Sequence, residues 1–316
     1  MNRTLILLAA LATLVPPHLL GEIVDYHQHL YSPEAGARST PGPAGIDAEY
    51  LISQLDAAGI SRAVVLSVAY SFSNPNKAQV PDEYGRVKAE NDWTSAQVGK
   101  YPRRLIGFCS VNPLKDYALG EIARCGKDPN LRKGLKLHFG NSDVDVDNPV
   151  HLARVQEVFR AANEHGMAIA VHMHANIDHH RPYGEKEAKV FLEKLLPEAP
   201  DVVVQIAHLA GGGGYNDPAA DAALQVFVDA IARKDPRMKN VYFDVSGIAI
   251  SGMWEKNADL VVKRIRQIGT SRLLYGSDAP TPDNLPKDTL KRWHSMPLTR
   301  EEFRAIDNNV APYLRN

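Results

Sequence analysis

Eight short runs rich in Val, Ile and Leu recur along the chain, with longer amphipathic segments between them. Most of the runs contain too few polar residues to be half-exposed strands, so they predict parallel strands that are covered on both faces. This alternation constrains the fold more than any other feature of the sequence. The runs occupy residues 22–26, 62–68, 104–111, 133–138, 168–172, 202–208, 240–246 and 272–278.

The segments between the runs have the spacing of amphipathic helices. Leu51, Ile52 and Leu55 recur at helical spacing in residues 48–58, and Gly59 follows as a C-terminal stop. Similar patterns occupy residues 150–165, 219–233 and 260–268. Thr299 and Glu302 predict a capping box for a final helix.

Eight strand–helix units at a spacing of roughly 30–40 residues are typical of an α/β fold of the (β/α)8, or TIM-barrel, type. An open doubly wound sheet is the alternative, but it needs a glycine-rich turn after its first strand. That position holds His27-Gln28-His29 instead. We therefore predict a single barrel domain that spans residues 21–316.

The charge and the cysteine content exclude several classes of protein. The 316 residues include 36 Lys and Arg and 37 Asp and Glu, which gives a formal net charge of −1, and the basic residues form no stripe. We therefore expect neither a nucleic acid nor a membrane as a partner. Cys109 and Cys125 are the only cysteines, which favours two reduced, buried thiols. A single disulfide is the alternative if the protein is exported.

Residues 1–20 have the pattern of a secretory signal. Arg3 precedes an apolar run from Leu5 to Val15 that is too short to span a bilayer, and two prolines follow. The cleavage site lacks a clean small-x-small pattern, so an N-terminal helix packed on the barrel is the alternative. The pattern predicts export, for instance to the periplasm, whereas the alternative predicts a cytoplasmic protein.

Histidines and one aspartate follow the predicted strands at their C-terminal ends, where barrels of this type carry their active sites. His27 and His29 lie two residues apart, so on a strand they project from the same face, and two neighbouring imidazoles suit a divalent metal ion. Imidazoles and a carboxylate that converge on one rim are typical of metal-dependent hydrolases. The other strand-end residues are Lys136, His138, His172, His174, His208 and Asp278.

Several of these residues lie in motifs that resemble the amidohydrolase superfamily, and specifically its amidohydrolase-related (amidohydrolase 2) branch. The motifs are His27-x-His29, GLKLH at 134–138, His172, IAHLAGG at 206–212 and YGSDAP at 275–280. The resemblance runs from about Glu22 to the C-terminus and implies that the metal ligands are His27, His29, His172 and Asp278. It also implies that His208 contacts the attacking water or the substrate carbonyl, so Asp278 and His208 are the predicted catalytic residues.

Lys136, His174 and Arg181 are predicted to contact the substrate, each with an alternative role. In binuclear members of the superfamily a lysine on the fourth strand is carboxylated and bridges two metal ions, whereas one ion is usual in this branch. We therefore predict one divalent ion, Zn²⁺ or alternatively Mn²⁺, and a second ion only if Lys136 is carboxylated. His174 could replace or supplement His172, and Arg181 could bind a substrate anion or lie in a solvated loop.

The predicted function is hydrolysis of an ester, lactone or amide bond in a small organic substrate by a metal-activated water. The same branch contains nonoxidative decarboxylases of aromatic or unsaturated acids, which makes decarboxylation the main alternative. A noncatalytic barrel that binds a small molecule is the alternative outside enzymology. A small-molecule substrate is the expected partner, and a homodimer is compatible with the sequence. Asp244 and Ser246 end the seventh run and are expected beside the ligands.

Overall fold

One parallel β-sheet forms the centre of the molecule. The computed structural model describes residues 22–38, 45–175, 181–250, 253–279, 281 and 284–315. The eight strands follow one another in chain order around the sheet. They are β1 (Val24–Gln28), β2 (Arg62–Leu66), β3 (Leu105–Ser110), β4 (Gly134–His138), β5 (Ala168–His172), β6 (Val204–Ile206), β7 (Val241–Asp244) and β8 (Leu273–Leu274). The signal or helix predicted for residues 1–20 lies outside the described residues.

The eighth strand returns to the first, so the sheet forms a nearly closed barrel. The Tyr26 N–H donates to the Tyr275 carbonyl at 2.9 Å, and the Asp278 N–H donates to the His27 carbonyl at 2.8 Å. The predicted (β/α)8 barrel is confirmed. Each of β2 to β8 lies within its predicted run, whereas β1 extends two residues beyond its run, to Gln28.

Helices connect the strands on the outside of the barrel. The predicted helix at residues 48–58 has the observed bounds, and Gly59 ends it in the left-handed conformation with φ of 71°. The predicted capping box is confirmed, because Thr299 and Glu302 satisfy each other's backbone N–H groups. The helices are α1 (Pro33–Arg38), α2 (Ala48–Ala58), α3 (Glu83–Gly99), α4 (Ala118–Cys125), α5 (Phe139–Ser142), α6 (Pro149–Glu164), α7 (Glu185–Val190), α8 (Pro218–Ala232), α9 (Ala258–Ile268), α10 (Pro286–Trp293) and α11 (Arg300–Asp307).

A register shift in β1 positions the histidine pair. Tyr26 packs in a buried cluster with Val64 of β2 and Phe108 of β3. Strict alternation would send His27 to the opposite face. The pairing of β1 with β2 shifts register between Asp25 and Gln28. Such an irregularity bends a strand and redirects its side chains. Tyr26 and His27 can therefore both face the interior of the barrel although they are adjacent in sequence.

The two cysteines form a disulfide, which corrects the expectation of reduced thiols. Cys109 on β3 and Cys125 at the end of α4 are joined, with their Cα atoms 6.1 Å apart, and both side chains are fully buried. The return of α4 onto the outer face of β3 brings the two residues together, and the spacing in sequence does not reveal it. None of the described helices is long and apolar enough to cross a membrane.

Candidate metal and active site

The C-terminal rim of the barrel brings three imidazoles to one carboxylate. Asp278 follows β8, and its Oδ1 lies 3.4 Å from His29 Nε2 and 3.7 Å from His27 Nε2. Its Oδ2 lies 4.0 Å from Nε2 of His208, which follows β6. One potential ligand atom each from His27, His208 and Asp278 lie within 4.8 Å of one another. We call His27, His29, His208 and Asp278 the rim cluster.

Hydrogen bonds on the far side of each ring determine which nitrogen faces the cluster. His29 Nδ1 lies 2.7 Å from the Leu66 carbonyl, and His208 Nδ1 lies 2.8 Å from the Ser246 carbonyl. A carbonyl can only accept, so each Nδ1 carries a proton, and Nε2 is the atom that presents a lone pair in the neutral ring. His27 has the same arrangement, with Nδ1 at 3.1 Å from the Asp244 carboxylate.

Burial and neighbouring charges shift the pKa values of the cluster. Burial, and then the positive charge of Lys136, lower the pKa of His27 to about 4, so this ring is neutral at pH 7. Burial raises the pKa of Asp278, whereas positive charge on His27, His29 and His208 and a hydrogen bond from His29 lower it, and the net effect holds that pKa well below its usual range. Asp244 is likewise held ionised, because His27 outweighs the effect of burial on its pKa.

These observations show that the rim cluster fits a divalent cation. The Nε2 atoms of three imidazoles face an ionised carboxylate, and a positive charge between lone pairs and a carboxylate relieves their repulsion. The Lys136 ammonium, 3.3 Å from His27 Nε2, is one such charge, and a divalent cation would be another. Imidazole nitrogen and carboxylate oxygen are ligands that Zn²⁺ and Mn²⁺ accept. The oxygens that accept from the Nδ1–H groups provide the outer hydrogen bonds that orient ligating histidines. Asp244 and Ser246, expected beside the ligands, are two of these partners.

His172 borders the rim cluster from β5. Its ring centroid lies 5.0 Å from that of His208 and 4.0 Å from that of His138. Burial, followed by the charges of His138 and His208, lowers its pKa well below the usual value, so the ring is neutral. His172 is therefore available as a ligand at the edge of the cluster, whereas His27, His29, His208 and Asp278 form its centre.

Lys136 on β4 lies against the rim cluster itself. Its Nζ is 3.3 Å from His27 Nε2, and the side chain is 1 % exposed. Burial lowers the pKa of Lys136 to about 8, against the opposing effect of the Asp278 and Asp244 carboxylates. The ammonium therefore persists at pH 7 as a buried positive charge beside the proposed ligands.

His138 is an additional imidazole of the site that the sequence-based site assignment left out. Its Nδ1 accepts from the Asn141 backbone N–H at 3.1 Å, so the proton of the neutral ring lies on Nε2. This is the opposite tautomer to the three histidines of the rim cluster. The signal was in the sequence, because His138 lies two residues from Lys136 and shares its face of β4.

The backbone is strained where His208 and Asp278 enter the cluster. His208 has φ of 53° and Asp278 has φ of 56°, in the left-handed region that non-glycine residues rarely occupy. Hydrogen bonds hold both positions. The His208 N–H donates to Asp244 Oδ1 at 3.0 Å, and Asn284 Nδ2 donates to the Asp278 carbonyl at 2.8 Å. Strain of this kind concentrates at functional sites.

Two cavities open beside the cluster. The first, the amide cavity, has a volume of about 550 Å³ and is lined by His138, His172 and several asparagines. The second, the Arg292 cavity, has a volume of about 380 Å³ and is lined by Asp278, Arg292 and a set of apolar side chains. The asparagines of the amide cavity are Asn74, Asn76, Asn141 and Asn216.

The hydrogen bonds of His174 and Arg181 go to residues outside the rim cluster. His174 Nδ1 faces the Ala175 carbonyl at 3.0 Å and its Nε2 faces Asp217 at 3.0 Å, so both ring nitrogens are engaged, and the ring lines the amide cavity. The Arg181 guanidinium forms two bonds to Asp143, at 2.7 and 2.9 Å. Neither cavity includes Arg181 among its lining residues.

Comparison with solved structures identifies the same fold in several enzymes. A 5-carboxyvanillate decarboxylase from Sphingomonas paucimobilis superimposes with a TM-score of 0.61 at 14% identity, covering 90% of this chain and 96% of that one. A probable 2-pyrone-4,6-dicarboxylic acid hydrolase from Acinetobacter baumannii gives 0.61 at 19% identity, with 91% and 96% covered. A manganese complex of 5-carboxyvanillate decarboxylase from Novosphingobium aromaticivorans gives 0.60 at 17% identity, with 92% and 94% covered.

Comparison at the level of sequence identifies the family of the chain. No curated protein matches the chain. The family model described as amidohydrolase (Amidohydro_2) matches residues 24–307, which is most of the chain. Family and structural neighbours point to an enzyme of the amidohydrolase superfamily, in which both decarboxylases and hydrolases occur. The chain belongs to the amidohydrolase (Amidohydro_2) family.

Proposed function

We propose that this protein is a metal-dependent hydrolase that uses one divalent ion, Zn²⁺ or Mn²⁺. One observation carries the proposal: three imidazoles with fixed Nδ1 protons direct their Nε2 lone pairs at the ionised carboxylate of Asp278. The residues that would hold the ion are His27, His29 and Asp278, with His172 and His208 adjoining them.

The chain's own groups supply the proton transfers. A divalent ion in this site would polarise a substrate carbonyl and make a water molecule more acidic. Oδ1 of Asp278 faces His27 and His29, whereas Oδ2 faces His208. Oδ2 can therefore accept a proton from the attacking water and return it to the leaving group. The Nε2 lone pair of His208 accepts a hydrogen bond from the same water and orients it.

The two cavities favour hydrolysis over decarboxylation. Hydrolysis divides a substrate into an acyl part and a leaving group, and each part needs space on its own side of the reacting bond. His172 lines the amide cavity and Asp278 lines the Arg292 cavity, so two separate cavities adjoin these residues. A decarboxylase needs space for one organic body and for CO₂. Decarboxylation stays the second candidate because similar structures are decarboxylases.

A noncatalytic barrel that binds a small molecule explains the strained backbone and the buried histidines of the rim less well than an enzyme does. Non-glycine residues at positive φ and buried neutral histidines each cost folding free energy, and such costs are usual where chemistry requires them. His208 and Asp278 have this strained backbone, and His27 and His172 are buried with lowered pKa values.

The disulfide supports the proposal that the protein is exported. Buried disulfides persist in oxidising compartments and are rare in the cytosol, and Cys109 and Cys125 form one. Fractionation of cells that express the full chain tests this proposal. Recovery in the periplasmic or extracellular fraction would support it, and recovery in the cytosol with free thiols would contradict it.

Isotope labelling separates the two candidate reactions. The metal-loaded protein is incubated in ¹⁸O-water with p-nitrophenyl esters, small lactones and anilides, and separately with hydroxybenzoic acids. We expect one ¹⁸O atom in the product acid, and a fall in kcat of about 10²–10⁴-fold for Asp278→Asn because the proton acceptor is lost. Lys291→Gln, an exposed change on α10, is the control and should keep full activity. Release of CO₂ without ¹⁸O incorporation would establish decarboxylation and contradict the proposal.

A further inference from the structure

We propose that Arg292 binds a carboxylate of the substrate in the Arg292 cavity, so that the substrate is an organic acid with an apolar body. This inference rests on the proposed function, because it assigns one of the two cavities beside the cluster to a part of the substrate. It concerns a residue of α10 that none of the sequence motifs includes.

The Arg292 guanidinium lies one side chain away from the catalytic aspartate. Its Nη2 donates to Asn284 Oδ1 at 2.9 Å, and Asn284 Nδ2 donates to the Asp278 carbonyl at 2.8 Å. Arg292 and Asp278 line the same cavity. A ligand that fills this cavity therefore contacts both residues.

The charge of Arg292 has no counter-ion in the described part of the chain. Its hydrogen-bond partners there are the neutral oxygens of Asn284 and Thr289, at 2.9 and 3.1 Å, and both bonds use Nη2. Other arginines with limited exposure, the half-buried Arg181 and the buried Arg264, are paired with carboxylates. Nε and Nη1 of Arg292 have no hydrogen-bond partner among the described residues, and a guanidinium offers paired N–H groups that match a carboxylate.

Part of the lining of the Arg292 cavity is apolar. Val245, Ala249, Ile250 and Trp293 contribute to the lining. Together with one guanidinium, this surface suits a compact aromatic or branched aliphatic body that carries a carboxylate. The amide cavity has a different character, with four asparagines, and suits the polar part of the substrate. The inferred substrate class is an apolar organic acid joined through a hydrolysable bond to a polar group.

Calorimetric binding of benzoate and of benzamide, its neutral analogue, tests the inference on the metal-loaded protein. We expect benzoate to bind in the millimolar range or tighter, and benzamide at least about tenfold more weakly. Arg292→Gln should weaken benzoate binding by about tenfold or more, and Arg292→Lys by less, since it keeps the charge but loses the fork. Lys291→Gln removes the neighbouring charge on the same helix and should leave binding unchanged.

The alternative outcomes are distinct from failure of the proposed function. Unchanged benzoate affinity in Arg292→Gln, or no benzoate binding to the wild type, would overturn the inference. Benzoate binding that disappears on metal removal but is unchanged in Arg292→Gln would place the carboxylate on the metal. This result would overturn the inference and leave the proposed hydrolysis untouched. If Arg292→Gln does not fold, Arg292→Lys decides, because an affinity equal to wild type would overturn the inference. An Arg292-dependent affinity in a protein without hydrolase activity would contradict only the proposed function.

Discussion

Replacing Lys136 with methionine should stabilise the metal-free protein at neutral pH. The ammonium is buried and lies beside His27 Nε2, and burial lowers its pKa from 10.5 to about 8. Each tenfold change in acidity corresponds to about 1.4 kcal/mol, so keeping this group protonated in the folded state costs about 3 kcal/mol of unfolding free energy. Methionine has a similar length without the charge. We expect Lys136→Met to gain this amount and to raise Tm by roughly 5–10 °C.

The effect has a defined pH window. A lysine whose folded-state pKa is depressed costs no stability above the unfolded-state pKa. As the pH falls below that value the unfolded chain takes up the proton first, so the cost grows, and it is complete below the folded-state pKa. The difference between variant and wild type should therefore be complete below about pH 8 and should vanish above pH 10.5. Urea unfolding of the chelator-treated proteins at pH 7 and pH 10 measures it.

Lys133→Met is the matched control, because Lys133 immediately precedes β4 and is exposed. It should change stability by less than about 0.5 kcal/mol. A Lys136→Met protein that is less stable than the wild type at pH 7 would refute the reasoning. That result would mean that the ammonium gains more from Asp278 and Asp244 than it loses by burial.

Three further outcomes follow from the same contacts. Asp244→Asn should weaken metal affinity about 10–100-fold, because it removes the anionic acceptor of His27 Nδ1; unchanged affinity in a metal titration would contradict the orienting role. The metal-free protein should lose about 3 kcal/mol of stability as the pH falls from 6.5 to 4. The reason is that the folded-state pKa of His27 is about 4, so the unfolded chain takes up the proton first. Urea unfolding measures the loss, and the same loss in a His27→Asn variant would refute this reasoning. A Cys109→Ser/Cys125→Ser variant should lose about 3 kcal/mol through the 16-residue loop that the disulfide closes, and equal unfolding midpoints with and without a reductant would contradict this.

The barrel could be predicted from the sequence because its signals are local and repeated. Each apolar run had to be covered on both faces, and the helical spacing of Leu51 and Leu55 required a face packed on the sheet. The register shift in β1 could not be read in the same way. It depends on how β1 pairs with β2, and a strand sequence does not specify its register by itself.

The site could be predicted only as far as its residues follow strand ends. His27, His29 and Asp278 were brought together because the strands of a parallel barrel end at one rim. Other features depend on contacts between distant elements. The disulfide required the packing of α4 on β3, and the tautomer of His138 required the Asn141 N–H. The position of Arg292 beside the cavity depends on how α10 packs, and no sequence motif predicts that packing.

Metal content is the most direct test of the central claim. The purified full chain is dialysed against trace Zn²⁺ or Mn²⁺ and analysed by elemental mass spectrometry, beside a His27→Ala/His29→Ala variant and the Lys291→Gln control. The account predicts about one ion per chain in the wild type and in Lys291→Gln, and none in the double variant. Two ions per chain would indicate a carboxylated Lys136 instead of a free ammonium. A wild-type protein that binds no divalent metal under any loading condition would contradict the account.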